Sequence, residues 1–106
     1  MGHDYEYSMV ITTTRDNESA KKLAGALLEA RLAACVQFLP AESMYIWQGA
    51  ICIDNETVLF IKTKTALLDK LTVTIKENHS YEIPEIIQLP ITDGSPDYLK
   101  WIGSLV

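Results

Sequence analysis

The chain predicts an α+β fold in a split β-α-β arrangement, and three observations carry that reading. Period-two alternation marks strand segments, apolar stripes of helical period mark three helices, and the order is β-α-β-β-α-β followed by a C-terminal helix. The 106 residues form a single domain, 1–106, with residues 1–4 read as a disordered or appended lead-in.

From Tyr5 to Thr13, Tyr5, Tyr7, Met9 and Ile11 alternate with Glu6, Ser8, Val10 and Thr12, which is a strand pattern. Ala20, Leu23, Ala24, Leu27 and Leu28 then form the stripe of an amphipathic helix, with Asp16 or Thr14 as its N-cap. Gly25 weakens that helix, which suggests a close approach by a neighbouring element. Ala34–Leu39 and Ser43–Trp47 read as two strands with a bend or bulge at Pro40. Gln48-Gly49 is a turn, Ala50–Ile53 a short returning strand, and Asp54-Asn55 a second turn. Leu59 and Ile61 face opposite to Val58, Phe60 and Lys62 in a strand over Glu56–Lys64. Thr65 is read as the cap of a second helix, whose stripe is Leu68, Leu71 and Ile75. Ile86–Leu89 is the last strand, and Ser95-Pro96-Asp97 starts the terminal helix with proline in its first turn.

Two helices cover one face of a four-stranded sheet. The strands at Val58–Ile61 and Ile86–Leu89 are apolar on both faces, so the second face needs a cover as well. The C-terminal helix is narrow for that task, which favours self-association through the second face and the unpaired edges.

Composition excludes several classes. Nine Lys and Arg against fourteen Asp and Glu give a net charge of -5, opposite to what a nucleic-acid grip requires. No apolar run approaches the roughly 20 residues of a membrane-spanning helix. Cys35 and Cys52 lack C-x-x-C spacing, so the expectation is a reducing, cytoplasmic setting without disulfides. The chain has no G-x-S-x-G elbow and no glycine-rich phosphate loop, and no enzymatic activity is expected.

Five segments in order then carry a resemblance: Arg31-Leu32-Ala33-Ala34-Cys35-Val36, Tyr45-Ile46-Trp47-Gln48-Gly49, Leu59-Phe60-Ile61-Lys62-Thr63, His79-Ser80-Tyr81-Glu82-Ile83-Pro84-Glu85-Ile86 and Tyr98-Leu99-Lys100-Trp101. From about residue 7 onward the chain resembles the CutA divalent-cation tolerance proteins. The resemblance implies a ferredoxin-like sandwich with an extended hairpin between the second and third strands, a homotrimer, kinship with the PII signalling proteins, and an association with copper or another divalent cation that folding does not require. The chain departs from the family's pattern at Ile46 (often a second aromatic), Ser80 (usually proline) and Thr12 or Thr13 (cysteine in some members).

Cys35 and His79 match ligands proposed for that family, and copper favours imidazole and thiolate donors. Each also has a plain structural reading: Cys35 as a small core residue, His79 as a group bonding the carbonyls of a helix end. Two ligands do not complete a site, so Glu82, water or a second chain has to contribute. Cys52 reads as structural. A third-position imidazole can complete a square-planar copper or nickel chelate with the terminal amine, but removal of Met1 abolishes that arrangement, so His3 is not counted as a site. A second cluster, Trp47, Lys62, Tyr81 and Glu85, is read as an intersubunit pocket in which Glu85 pairs with the Lys62 ammonium. Small-molecule sensing at that pocket, as in PII-like proteins, and a trimeric scaffold that displays a surface to partners are the alternative functions.

Overall fold

A computed structural model describes residues 5–106; His3 and its terminal chelate lie outside the described residues. The elements are β1 (Tyr7–Thr14), α1 (Asn17–Glu29), β2 (Cys35–Trp47), β3 (Ala50–Lys64), α2 (Leu68–Glu77), β4 (Ile86–Ile91) and α3 (Pro96–Leu105). The four strands form one antiparallel sheet in the order β2-β3-β1-β4.

Register assigns the faces. Val10 pairs with Ile61, Thr12 with Leu59, and Val36 with Ile61, so these side chains share one face. That face packs on Ala20, Leu23, Ala24 and Leu27 of α1 and on Leu68, Leu71 and Ile75 of α2, all buried. The opposite face carries Met9, Ile11, Val58, Phe60 and Lys62, with Ile87 and Leu89 on β4 and Cys35, Gln37 and Leu39 on β2. Here α3 covers one end, burying Ile102 and bringing Gly103 against the Tyr7 hydroxyl. Leu39, Ile87 and Leu89 remain exposed.

Several local expectations change. Asp54-Asn55 is not a turn and Pro40 marks no bulge. Pairing runs without interruption from Cys35↔Lys62 through Pro40↔Thr57 and Ser43↔Asp54 to Trp47↔Ala50. β2 is an edge strand, so a proline without an N–H is tolerated in it, and the same holds for Pro90 inside β4. Gln48 (φ 50°) and Gly49 (φ 79°) form the two-residue turn that such a hairpin requires.

α1 is capped by Asp16, whose carboxylate accepts from the Ser19 N–H at 2.7 Å. It ends in a Schellman arrangement: Arg31 takes φ 57°, and its N–H and that of Leu32 donate to the Leu28 and Leu27 carbonyls. Thr65 does not cap α2; a short 3₁₀ turn (Thr65–Leu67) intervenes, and the Thr65 hydroxyl bonds that of buried Ser8 at 2.6 Å.

Since β1 stops opposite Thr57, Ala41–Trp47 and Ala50–Glu56 pair only with each other. This two-stranded ribbon stretches the molecule to 44 × 27 × 23 Å. Its helix-side face bears Met44 (69% exposed), Ile46 (77%) and Ile51 (74%). Two-stranded ribbons are barely stable alone in water.

Gly25 is not a close-approach site, because a Cβ there meets nothing within 4 Å. Gly25→Ala is therefore expected to raise stability by up to ~1 kcal/mol through helix propensity, read as a higher denaturant midpoint with an unchanged slope.

Candidate functional site

A cleft of about 680 Å³ lies on the open face at the base of the ribbon, walled by the segment between α2 and β4. Alternation along the ribbon builds its floor. Ser43, Tyr45 and Trp47 on β2 face the same way as Cys52, Asp54 and Glu56 on β3. Thr13 adds the end of β1, and Ser80, Tyr81, Glu82, Ile83 and Glu85 form the wall. Four of the lining residues are carboxylic acids, Asp54, Glu56, Glu82 and Glu85, and no Lys, Arg or His is among them.

One tyrosine ties the wall to the floor, and another braces the floor across its two strands. The Tyr81 hydroxyl donates to Glu56 Oε2 at 2.8 Å, and the Tyr45 hydroxyl donates to Asp54 Oδ2. Burial, then the bond to Glu56, pushes the Tyr81 phenol far above its ordinary value. The bond to Asp54, then burial, pushes Tyr45 up to about 12. Both phenols therefore stay protonated as donors throughout the physiological range.

His79 holds the wall in place. The Tyr81 N–H donates to its Nδ1 at 3.0 Å, so the ring proton sits on Nε2, which donates to the Thr13 carbonyl at 2.6 Å. The ring also packs on Tyr81, with centroids 4.8 Å apart. Both nitrogens are thus engaged within the chain. The His79 imidazole does not bond the carbonyls of the helix end; the His79 backbone N–H reaches Lys76 O at 3.5 Å, and Asn78 Nδ2 donates to Thr74 O at 2.9 Å.

The expected Lys62–Glu85 pair does not form. The Lys62 ammonium donates instead to the Tyr98 hydroxyl at 3.3 Å and lies 5.3 Å from that ring's centroid, with Trp101 stacked beyond it at 5.6 Å. Tyr98 and Trp101 sit on α3, so Lys62 belongs to the covered end of the face. Trp47, Tyr81, Glu82 and Glu85 do meet in one cleft.

Cys35 and His79 are not brought together. Cys35 lies opposite Lys62, whereas His79 bonds Thr13, which lies opposite Val58. Four positions along β3 separate them by ~14 Å before any step between strands, far beyond the ~2 Å reach of metal–ligand bonds. Among the described residues, no three His, Cys, Asp or Glu side chains are grouped to hold a metal ion. Cys35 and Cys52 are both free thiols; ten register positions along β3, ~33 Å, keep them from pairing within the chain.

Tyr45, Asp54 and Glu56 were missed as site residues because Asp54-Asn55 reads locally as a turn. A two-residue Gln48-Gly49 turn dictates the pairings Trp47↔Ala50, Tyr45↔Cys52 and Ser43↔Asp54, and that signal was sufficient to find them.

Comparison with known proteins decides the family. Residues 8–104 match the CutA1 divalent ion tolerance protein family. The chain belongs to that family. It is similar to the divalent-cation tolerance protein CutA of Thermus thermophilus, with 43% identity over 95 residues, 89% of this chain and 92% of that one. It is also similar to the chloroplastic protein CutA of Arabidopsis thaliana, 45% identical over 95 residues, 89% of this chain. The chain spans about half the length of the two plant relatives it matches, 52% and 54%. Among solved structures, CutA1 from Oryza sativa superposes with a TM-score of 0.91 at 42% identity, covering 94% of this chain and 93% of that one. The periplasmic divalent cation tolerance protein CutA from Archaeoglobus fulgidus gives 0.92 at 32% identity, covering 93% and 97%. The α+β architecture and the family resemblance read from the sequence both hold.

His79 acts as a strut between β1 and the cleft wall. His79→Ala leaves the buried Thr13 carbonyl and the Tyr81 N–H without partners, and a loss of about 2 kcal/mol is expected. The loss appears equally with and without chelator in a denaturant titration; a loss seen only without chelator contradicts the strut role.

Proposed function

We propose that this CutA-family chain serves divalent-cation tolerance as a self-associated protein, with the ion, copper in the first instance, held between copies. The observation that carries this reading is the unfinished apolar surface. Leu39, Ile87 and Leu89 are exposed on the open face, and Met44, Ile46 and Ile51 on the helix-side face of the ribbon; clustered exposed apolar side chains mark interaction surfaces. A second copy that buries them also supplies the donors one chain lacks. Cys35 and Glu82 are the candidates with free donor atoms, and His79 joins them through Nδ1 only by giving up the bond from the Tyr81 N–H. The trimer implied by the resemblance is the assembly we propose, and no chemical step is assigned to the chain. A reducing compartment is the proposed setting, in keeping with two free thiols.

A second reading is favoured by the cleft itself. Its walled volume and converging aromatic and carboxylate side chains fit the general form of a small-molecule site, in line with PII-like sensing.

One set of titrations tests the first reading. In a His3→Ala background, Cu(II) and Zn(II) are titrated calorimetrically while the mass is followed by light scattering. The expected result is a trimer that binds Cu(II) at a fixed ratio per subunit, with Cys35→Ser weakening binding. Ile46→Asp with Ile51→Asp should shift the mass toward monomer and abolish the binding. A monomeric wild type, or Cu(II) uptake indifferent to both changes, contradicts it.

A further inference from the structure

We propose that Pro40 and Pro90 are stops on the two outer edges of the sheet. They confine strand addition by a second copy of the chain to Glu42–Ile46 on β2 and Ile86–Gln88 on β4. The proposal rests on the self-association reading and gives it a place on the backbone.

Register determines which main-chain groups point outward. The two-residue turn closes on Trp47↔Ala50, a pair that exchanges both of its main-chain hydrogen bonds. Bonded and non-bonded pairs alternate from there. The odd-numbered residues of β2 therefore bond β3, while Val36, Phe38, Pro40, Glu42, Met44 and Ile46 turn their main-chain groups away from it. The other side of the sheet follows by the same alternation. The Thr65 N–H donates to the Glu6 carbonyl at 2.9 Å, which makes Tyr7↔Lys64 a non-bonded pair and Ser8↔Thr63 a bonded one. β1 thus bonds β4 through Tyr7, Met9 and Ile11, and Ile86, Gln88 and Pro90 face outward.

Each outer strand therefore holds a proline at an outward position, and both prolines are exposed. An edge position permits proline but gains no bond from it within the chain. What proline changes is the edge itself. A strand laid along β2 finds no donor at Pro40, and one laid along β4 finds none at Pro90. Open edges are templates for another chain, and proline is one of the devices that interrupt them. The uninterrupted stretch on β2 is Glu42, Met44 and Ile46, and the Met44 and Ile46 side chains are exposed there as well. Unpaired main chain and uncovered apolar side chains coincide on the ribbon, so one strand from a second copy satisfies both. A slip of two residues would keep every side chain of that strand on its own face, and only the loss of a hydrogen bond at proline opposes it. The third free edge, β3 beyond Thr57, is approached at its base by Tyr81 through Glu56, where the segment between α2 and β4 already stands.

The test compares the full chain with Pro40→Thr, Pro90→Thr and Met44→Pro. Mass is read by light scattering after size-exclusion chromatography, strand aggregation by thioflavin T, and the fold by far-UV circular dichroism. Threonine restores the missing N–H and suits a strand. The expected result is one discrete mass for the wild type. Each threonine variant should spread to masses about twice as large or more, with a thioflavin T signal. Met44→Pro removes one outward donor and spares the β2–β3 ladder, so the mass should fall toward monomer with unchanged dichroism. Met44→Thr, which loses the side chain and keeps the donor, should retain more of the assembly. Threonine variants that keep the wild-type mass without a thioflavin T signal overturn the stops and leave self-association standing. A wild-type mass in Met44→Pro overturns strand addition along the ribbon. A monomeric wild type overturns this proposal and the self-association reading together.

Discussion

The mismatch in length between β3 and β1 shapes everything else in this molecule. β3 runs for 15 residues and β1 for only 8. Beside β1, β3 is a central strand with neighbours on both sides and helices over one face. Beyond Thr57 it has only β2. A two-stranded ribbon cannot bury its own apolar side chains, so it requires support from elsewhere. The segment between α2 and β4 gives part of that support, through Tyr81 and Glu56. The space enclosed by ribbon and segment is the cleft.

That support depends on one imidazole. His79 joins the end of β1 to the backbone of Tyr81, and Tyr81 in turn reaches Glu56 on the ribbon. The chain of contacts ties the segment between α2 and β4 to two paired strands of the sheet, β1 and β3. A histidine committed in this way is a structural member first, and a metal would have to displace the Tyr81 N–H from its Nδ1 lone pair. At the other end of the same face, Lys62 with Tyr98 and Trp101 ties α3 to β3. The open face is thus finished at one end by α3 and walled at the other, with exposed Leu39, Ile87 and Leu89 between. Surface of this kind is where another copy of the chain would add the greatest apolar burial.

Where the sequence was legible, periodicity carried it. The stripes of Leu23 and Leu27 and of Leu71 and Ile75, and the alternation around Leu59 and Ile61, identify faces that are fully buried. Local punctuation was less dependable. Asp54-Asn55 has the composition of a turn but lies in β3, since pairing with Glu42 and Ser43 outweighs the weak strand propensity of Asp and Asn. Thr65 has the composition of a helix cap, yet its hydroxyl goes to Ser8. Gly25 invites a reading of close packing and faces open space.

The sequence by itself determined the class, the order of elements, the apolar excess on the second sheet face and the family, because these depend on patterns along the chain. It also identified Trp47, Tyr81, Glu82 and Glu85, which meet in the cleft. Only the tertiary structure decided that Lys62 turns to Tyr98, that Cys35 and His79 stay apart, and that Asp54 and Glu56 join Tyr45 and Tyr81. These outcomes depend on strand register and on which face each side chain takes. A shift of one residue in register reverses every such assignment, so distance along the chain carries no information about them.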